Sequence, residues 1–251
     1  TTEMHFTGNL NSNIGVNYSL SNDDSPVPIA LEENGEPIGG EAVITSKDVY
    51  DALGNKQTVY FRYFKAATGF TDADGSPATV YTDHNGNGQV DYEELSGIKW
   101  FCDISLDPEF SGVATYNPDN PADDISGATV RLSNIEFDAN GYLTGPSNIN
   151  LLIDRSAYNT QNIDFTIDLS RLTQWESKST AWAEFQDGYT MGSLTSFTIG
   201  QDGTIMGVYD NGETKNLARV ALANFQNPSG LMQVGNSLFQ VSNNSGDPLI
   251  G

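Results

Sequence analysis

The strongest constraint on this chain is its rhythm. Short stretches of alternating apolar and polar residues are broken by turns that need a left-handed backbone. Phe197 and Ile199 alternate with polar neighbours, and Gln201-Asp202-Gly203 then turns the chain. Ile205, Met206 and Val208-Tyr209 make the return strand, and Asp210-Asn211-Gly212 turns it again. Asp-Gly and Asn-Gly supply the positive φ that tight hairpins require. The same alternation recurs at Val59, Phe61 and Tyr63, at Val130, Leu132 and Asn134, and at Ile163, Phe165, Ile167 and Leu169. No stretch sustains apolar residues at i, i+3, i+4 and i+7 over three turns. Leu169–Trp175 and Leu217–Ala223 are long enough for short helices, although a strand suits the latter equally well. The pattern predicts an all-β protein.

The 251 residues suffice for one large β domain or two smaller ones. Thirty-three acids against 11 bases leave a formal charge of −22. A surface of that sign repels nucleic acid and anionic membranes, so neither is expected as a partner. No apolar run approaches the ~20 residues of a membrane span. Thr1 opens no secretory signal with a basic start and an apolar middle, which predicts either a fragment or export without a cleaved signal. The lone Cys102 forms no intramolecular disulfide, so the core must stabilise the fold alone.

Two polar stretches read as linkers. Ser21–Gly40 carries Asp23-Asp24, three prolines and Gly39-Gly40, and Thr173–Thr190 is irregular and polar. They predict two β domains, the outer one inserted into the inner one. Residues 1–20 and 176–251 form the inner domain, and residues 21–175 the inserted outer domain. Crossings near Leu20–Ser25 and Trp175–Ser179 would act as a double hinge between them.

The sharpest local motif is Asp83-His84-Asn85-Gly86-Asn87-Gly88-Gln89-Val90-Asp91-Tyr92-Glu93-Glu94. It matches the twelve-residue calcium loop of EF-hands. Asp83, Asn85 and Asn87 supply side-chain oxygens, Gln89 a backbone carbonyl, Asp91 a direct or water-mediated contact, and Glu94 a closing bidentate carboxylate. Gly88 sits where the loop turns sharply. The expectation is one Ca²⁺ site in a β setting, since the flanks at Ala78–Tyr81 and Ile98–Cys102 look like strands. The alternative is a solvated acidic loop. Asp72 and Asp74 form a second acidic turn that lacks the closing glutamate. Catalysis finds little support. His5 and His84 have no evident nucleophile and orienting group, and carboxylate pairs such as Asp123-Asp124 sit in loop-like sequence. The protein is therefore not expected to be an enzyme.

Asp187–Gly251 carries a longer signature: Gly188-Tyr189 with Gly192-Ser193-Leu194, Asp202-Gly203-Thr204-Ile205, Val220-Ala221-Leu222-Ala223-Asn224-Phe225, Asn227-Pro228-Ser229-Gly230-Leu231 and Gly235-Asn236-Ser237-Leu238-Phe239. It resembles the C-terminal signature of bacterial flagellar axial proteins, in particular the flagellar hook protein family. The opening Thr1–Asn11, the hairpin-like Asp48–Asn55 and Phe137–Leu143 with its Asn140-Gly141 turn extend the resemblance, which is weak over Phe70–Pro121. The resemblance implies an inner domain built from both ends of the core. It also implies a mechanical role in a curved, extracellular tube that transmits torque as a universal joint. Partners would be further copies of the chain in a helical tube and other flagellar axial and junction proteins. Axial proteins carry apolar heptads at both termini. Their absence here leads to the expectation of a truncated core fragment, monomeric in dilute solution. Some hook proteins, notably of spirochaetes, join subunits through a lysine–cysteine crosslink, which makes Cys102 a candidate, although burial explains it as well. The alternatives are a rod protein, an extracellular calcium-dependent adhesin or carbohydrate-binding module, and a hydrolase.

Overall fold

Strands form where the alternation predicts them. The computed structural model describes residues 1–14, 16, 42–67, 69–71, 73–78, 95–117 and 122–250, with the backbone of Tyr18–Leu20 and Pro26–Pro28. The described residues form strands and two 3₁₀ turns, and contain no α-helix. Two compact units divide the chain, Thr1–Thr190 and Met191–Gly251.

The first unit begins with β1 (Glu3–Asn11), β2 (Tyr18–Leu20), β3 (Pro26–Pro28), β4 (Val43–Tyr50) and β5 (Lys56–Ala67). The short strands β6 (Gly69–Thr71), β7 (Pro77–Ala78) and β8 (Leu95–Ser96) follow and pair with one another. Next come β9 (Lys99–Ser105), β10 (Val113–Thr115), β11 (Asp123–Asp124) and β12 (Thr129–Ile135). The unit closes with β13 (Asn148–Ile153), β14 (Ile163–Trp175) and β15 (Trp182–Gln186). One sheet has the order β11-β13-β14-β1-β15; the other runs β10-β12-β9-β5-β2-β3, with β4 also on β5.

The inward faces of these two sheets share one core. Met4, Phe6 and Leu10 of β1 and Phe165, Ile167 and Leu169 of β14 belong to it, as do Phe61 and Tyr63 of β5 and Cys102 and Ile104 of β9. The Phe6 ring meets Phe61 edge-on at 4.6 Å. Burying a side chain of this size contributes about 1.5–3 kcal/mol. Both hairpins anticipated from Asp48–Asn55 and Phe137–Leu143 are present. The latter packs flat: Gly141 has φ +74, and a Cβ there would lie 2.5 Å from the Gln174 carbonyl.

The expected domain boundary is corrected by this core. Residues 1–14 and 176–190 belong to the same unit as the body of 21–175. Strand β1 lies between β14, parallel to it, and β15, antiparallel, with Ala181 and Ala183 buried beneath. A continuous core across the proposed crossing removes the hinge at Trp175–Ser179. The polar residues there form a clasp. Asn9 Nδ2 donates to the Ser177 carbonyl at 3.1 Å, and its Oδ1 accepts from the Trp175 amide at 2.8 Å. Thr180 N donates to Asn9 O at 2.8 Å, and Asn11 N to Ser179 Oγ at 3.1 Å. Gly8 makes room, because a Cβ there would run into the Thr180 carbonyl. The other expected crossing, Leu20–Ser25, lies outside the described residues apart from the backbone of Leu20.

The second unit contains β16 (Leu194–Ile199), β17 (Thr204–Tyr209) and β18 (Thr214–Arg219) as an antiparallel sheet. It continues with β19 (Ala223–Asn224), β20 (Met232–Gly235), β21 (Leu238–Gln240) and β22 (Leu249–Ile250). Strands β19 and β22 pair, as do β20 and β21. Both units, as described, are continuous stretches of chain.

Candidate functional site

The sequence candidates separate sharply. All six candidate metal ligands, Asp83, Asn85, Asn87, Gln89, Asp91 and Glu94, lie outside the described residues. Among the described residues no group of three or more His, Cys, Asp or Glu is placed to hold a metal ion. In the second acidic turn, Asp74 Oδ1 accepts from Ser76 N at 3.0 Å, a local turn cap. His5 is held by β-sheet neighbours: Nδ1 faces Asp168 Oδ2 at 3.2 Å, Nε2 lies 3.7 Å from Glu3 Oε2, and Phe185 packs on the ring at 5.5 Å. Cys102 is fully buried and its Sγ lies 3.8 Å from the Asp103 carbonyl. Burial pushes its thiol well above the ordinary value. The thiolate that a crosslink requires is therefore disfavoured. Lys99 pairs at the surface with Glu136 at 3.1 Å.

Two buried ionic groups went unnoticed in the sequence. Asp103 has no exposed surface and holds two guanidiniums: Arg131 Nε at 2.7 Å and Arg62 Nη2 at 2.5 Å. Both arginines alternate with core residues, Arg62 between Phe61 and Tyr63 and Arg131 between Val130 and Leu132. Strand alternation therefore places them on the face opposite the core, with Asp103 between them. Asp51 closes the β4–β5 turn, accepting from Leu53 N and Asn55 N at 2.9 and 2.8 Å, and Arg155 Nη2 reaches it at 3.4 Å. Burial pushes the Asp51 carboxyl upward, but the bonds from Asn55 and Leu53 and the Arg155 charge outweigh it and hold the carboxyl below its usual value.

The second unit presents a different kind of surface. Its only buried residues, among those described, are Gly203, Gly207 and Ser245. Leu194, Phe197, Ile199 and Leu217 are exposed at 50%, 62%, 60% and 45%. Register places Phe197 beside Gly207 and Ile199 beside Ile205. A Cβ on Gly207 would meet Leu194 and Leu217 side chains at 2.8 Å, so all of these residues share one face. The opposite face carries Ser196, Thr198 and Asn216 with Met206 and Val208. The sheet is amphipathic, with these apolar side chains exposed. The two units also differ in charge. The second unit holds four of the acids (Asp202, Asp210, Glu213, Asp247) and two bases (Lys215, Arg219), net −2; the remaining 29 acids and nine bases leave the first unit at −20.

Asn227 and Gly230 of the C-terminal signature join Ser242–Ser245 in a polar clasp in this unit. Ser242 Oγ donates to the Gly230 carbonyl at 2.5 Å, Asn227 Nδ2 to the Asn244 carbonyl at 3.0 Å, and Ser242 N to Ser245 Oγ at 3.0 Å. The Asn-Pro-Ser-Gly and Ser-Asn-Asn-Ser turns thus lock together through polar atoms rather than a core.

Fold and surfaces define the class: a β protein of two units, one an acidic sandwich and the other a set of short strands with exposed apolar residues. The chain belongs to the family of the flagellar basal body protein FlaE D2 domain, whose model matches residues 40–189. That match ends at the last residue but one of the first unit. The flagellar hook protein FlgE of Treponema pallidum is 26% identical over 261 residues, covering 92% of this chain and 49% of that protein. FlgE of Escherichia coli is 32% identical over 118 residues, covering 47% of this chain and 29% of that protein. FlgE of Borreliella burgdorferi is 42% identical over 80 residues, covering 32% and 18%. The chain thus spans at most about half the length of these relatives. A crystal structure of Helicobacter pylori flagellar hook protein FlgE2 aligns with a TM-score of 0.47 and 18% identity, covering 85% of this chain and 39% of that one.

Proposed function

We propose that this chain is part of a structural subunit of the bacterial flagellar hook, a curved tube outside the cell that transmits motor torque while it bends. Its role is mechanical, not enzymatic. Its partners are further copies of itself and the flagellar axial proteins that adjoin the hook. The observation that carries this reading is the flagellar family match over residues 40–189 of the first unit, in a chain that continues into a second unit whose six- and four-residue strands bury no apolar side chain. A polypeptide of this kind is completed by more protein. The acidic first unit suits an outer, solvated position, where wet and salt-sensitive contacts slide cheaply as the tube bends.

The inner domain of such a subunit would be built from the second unit together with chain outside residues 1–251, with the first unit inserted in it. The long relatives are consistent with this, since the Treponema protein is about twice the span matched here. A direct test is complementation of a hook-gene deletion with the complete gene. Wild type restores hooks visible by electron microscopy. A variant with Leu194, Phe197 and Ile199 changed to serine is expected to make folded first unit but no hook. Failure of the wild-type gene to restore hooks would refute the assignment.

The loop 83–94 belongs to this proposal as a single Ca²⁺ site that stiffens the outer unit, with side-chain oxygens from Asp83, Asn85, Asn87, Asp91 and Glu94 and the Gln89 carbonyl. Its support is the ligand spacing alone. Calorimetry with calcium should give a saturable heat that Glu94→Gln removes, and an unmodified protein silent to calcium would end the idea.

A further inference from the structure

The first unit carries far more negative charge than its own bases can answer. It holds 29 acids and nine bases, so at least 20 acids have no base of the unit to themselves, whatever the pairing. The structure widens this deficit at the surface. Arg62 and Arg131 both bond Asp103, at 2.5 and 2.7 Å, and Arg155 lies 3.4 Å from Asp51. Those two acids are the only buried ones among the described residues. Lys47 and Lys65 donate to the carbonyls of Ala183 and Ser12 at 3.1 and 2.6 Å. Five bases thus serve buried acids or the backbone. Three more, Lys56, Lys99 and Arg171, form surface pairs with Asp48, Glu136 and Glu184.

Folding therefore concentrates like charges. A chain of this length contracts from a radius of gyration of about 47 Å unfolded to about 16 Å folded. The screening length is about 30 Å in 10 mM salt and about 3 Å in 1 M. In a dilute medium each surface acid is felt across the whole folded unit, and in concentrated salt only by its nearest neighbours. Salt weakens attraction as well as repulsion, so the sign of its effect depends on which pairs it reaches. The Asp103 and Asp51 carboxylates have no exposed surface, and buried pairs are screened little. The three exposed pairs contribute little at any ionic strength. Self-repulsion among the other acids is what salt changes most.

We propose that mobile cations of the medium are a structural partner of the first unit: they stand in for the bases it lacks, so that ionic strength sets how firmly it folds. The cation is taken for its charge alone, as a diffuse atmosphere over the acidic surface, and sodium suffices. This follows from the charge of the unit and the placement of its bases, and it holds whether or not the chain is a hook subunit.

The three tryptophans, Trp100, Trp175 and Trp182, all belong to the first unit, so their fluorescence reports its unfolding separately from the second. Urea midpoints of the chain are measured from about 10 mM to about 1 M sodium chloride. EDTA is present throughout, which keeps calcium at residues 83–94 out of the result. The midpoint is expected to rise with salt. The exposed acids Glu109, Asp164 and Glu176 provide the charge control. Combining Glu109→Lys, Asp164→Lys and Glu176→Lys takes the unit from −20 to −14. Self-repulsion scales with the square of the charge, so this variant should show about half the wild-type rise, from a higher midpoint in dilute salt. If it does not fold, Glu109→Gln, Asp164→Asn and Glu176→Gln together should leave about seven-tenths of the rise. A wild-type midpoint that stays level or falls with salt overturns the proposal. So does a folded charge variant that keeps the full wild-type rise, since the salt effect would then have a source other than the acid excess.

Discussion

Replacing Asn9 with alanine tests directly whether residues 176–180 are a hinge or part of the sandwich. Asn9 is buried at 9% exposure. Its Nδ2 donates to the Ser177 carbonyl at 3.1 Å and the Ser177 hydroxyl at 3.0 Å, with a longer bond to Trp175 O at 3.3 Å. Its Oδ1 accepts from the Trp175 amide at 2.8 Å. Alanine removes at least two good bonds, each worth about 0.5–1.5 kcal/mol net, and leaves the Trp175 amide and Ser177 carbonyl short of a partner. The expected loss is about 2–4 kcal/mol. For a unit of this size that lowers the melting temperature by roughly 5–15 °C. Urea unfolding followed by tryptophan fluorescence gives the first figure and calorimetry the second. Hydrogen exchange supplies a local check: the Thr180 amide, bonded to Asn9 O at 2.8 Å, should be protected in wild type and faster in the variant. A loss below about 0.5 kcal/mol, the range of an ordinary surface change, together with an unprotected Thr180 amide, would show that these residues are a linker and would refute the clasp.

Gly141→Ala should destabilise the first unit by about 1–3 kcal/mol, because a Cβ at φ +74 meets the Gln174 carbonyl and the Trp175 ring; an unchanged urea midpoint would contradict this. Asp107 is held below the usual carboxylate range by the Ser111 hydroxyl and the Glu109 amide. A carboxyl depressed on folding contributes stability above its unfolded value and loses it as pH falls through the folded one. The stability difference between wild type and Asp107→Asn should therefore be full near neutrality and narrow below about pH 4, and a gap that widens on acidification would be the wrong sign. Cys102, fully buried and with its thiol pushed up, should resist an aromatic disulfide reagent in the native protein and react at once in denaturant. Rapid native reaction would mean that the β9 face of the core opens far more readily than its packing implies.

The all-β class was legible because alternation is a local signal. Val59, Phe61 and Tyr63, and Ile163 through Leu169, are buried as their period-two pattern requires. The Asp51–Asn55 and Asn140-Gly141 turns were legible for the same reason, since positive φ at Gly54 and Gly141 needs only the residue itself. The boundary near residue 176 was not. Glu176, Ser177, Lys178 and Ser179 have the composition of a linker, and nothing in their sequence reveals that a buried asparagine 167 or more positions earlier will take up their backbone groups. Arg62 and Arg131 were missed because a charged residue in a strand reads as solvent-facing until the element covering that face is known. The loop Asp83–Glu94 lies outside the described residues.

What the sequence determined by itself follows from short-range physics: strand periodicity, turn chemistry, a surface charge of −22 and the absence of a disulfide framework. Those properties depend on neighbours within a few residues. Tertiary structure alone decided which strands share a sheet. It placed β1 between β14 and β15 and so carried the first unit to Thr190. It also decided that the strands after Met191, patterned for burial like the others, bury no apolar side chain among the described residues. Alternation says that a strand has an apolar face; only the packing of distant segments says whether anything covers it.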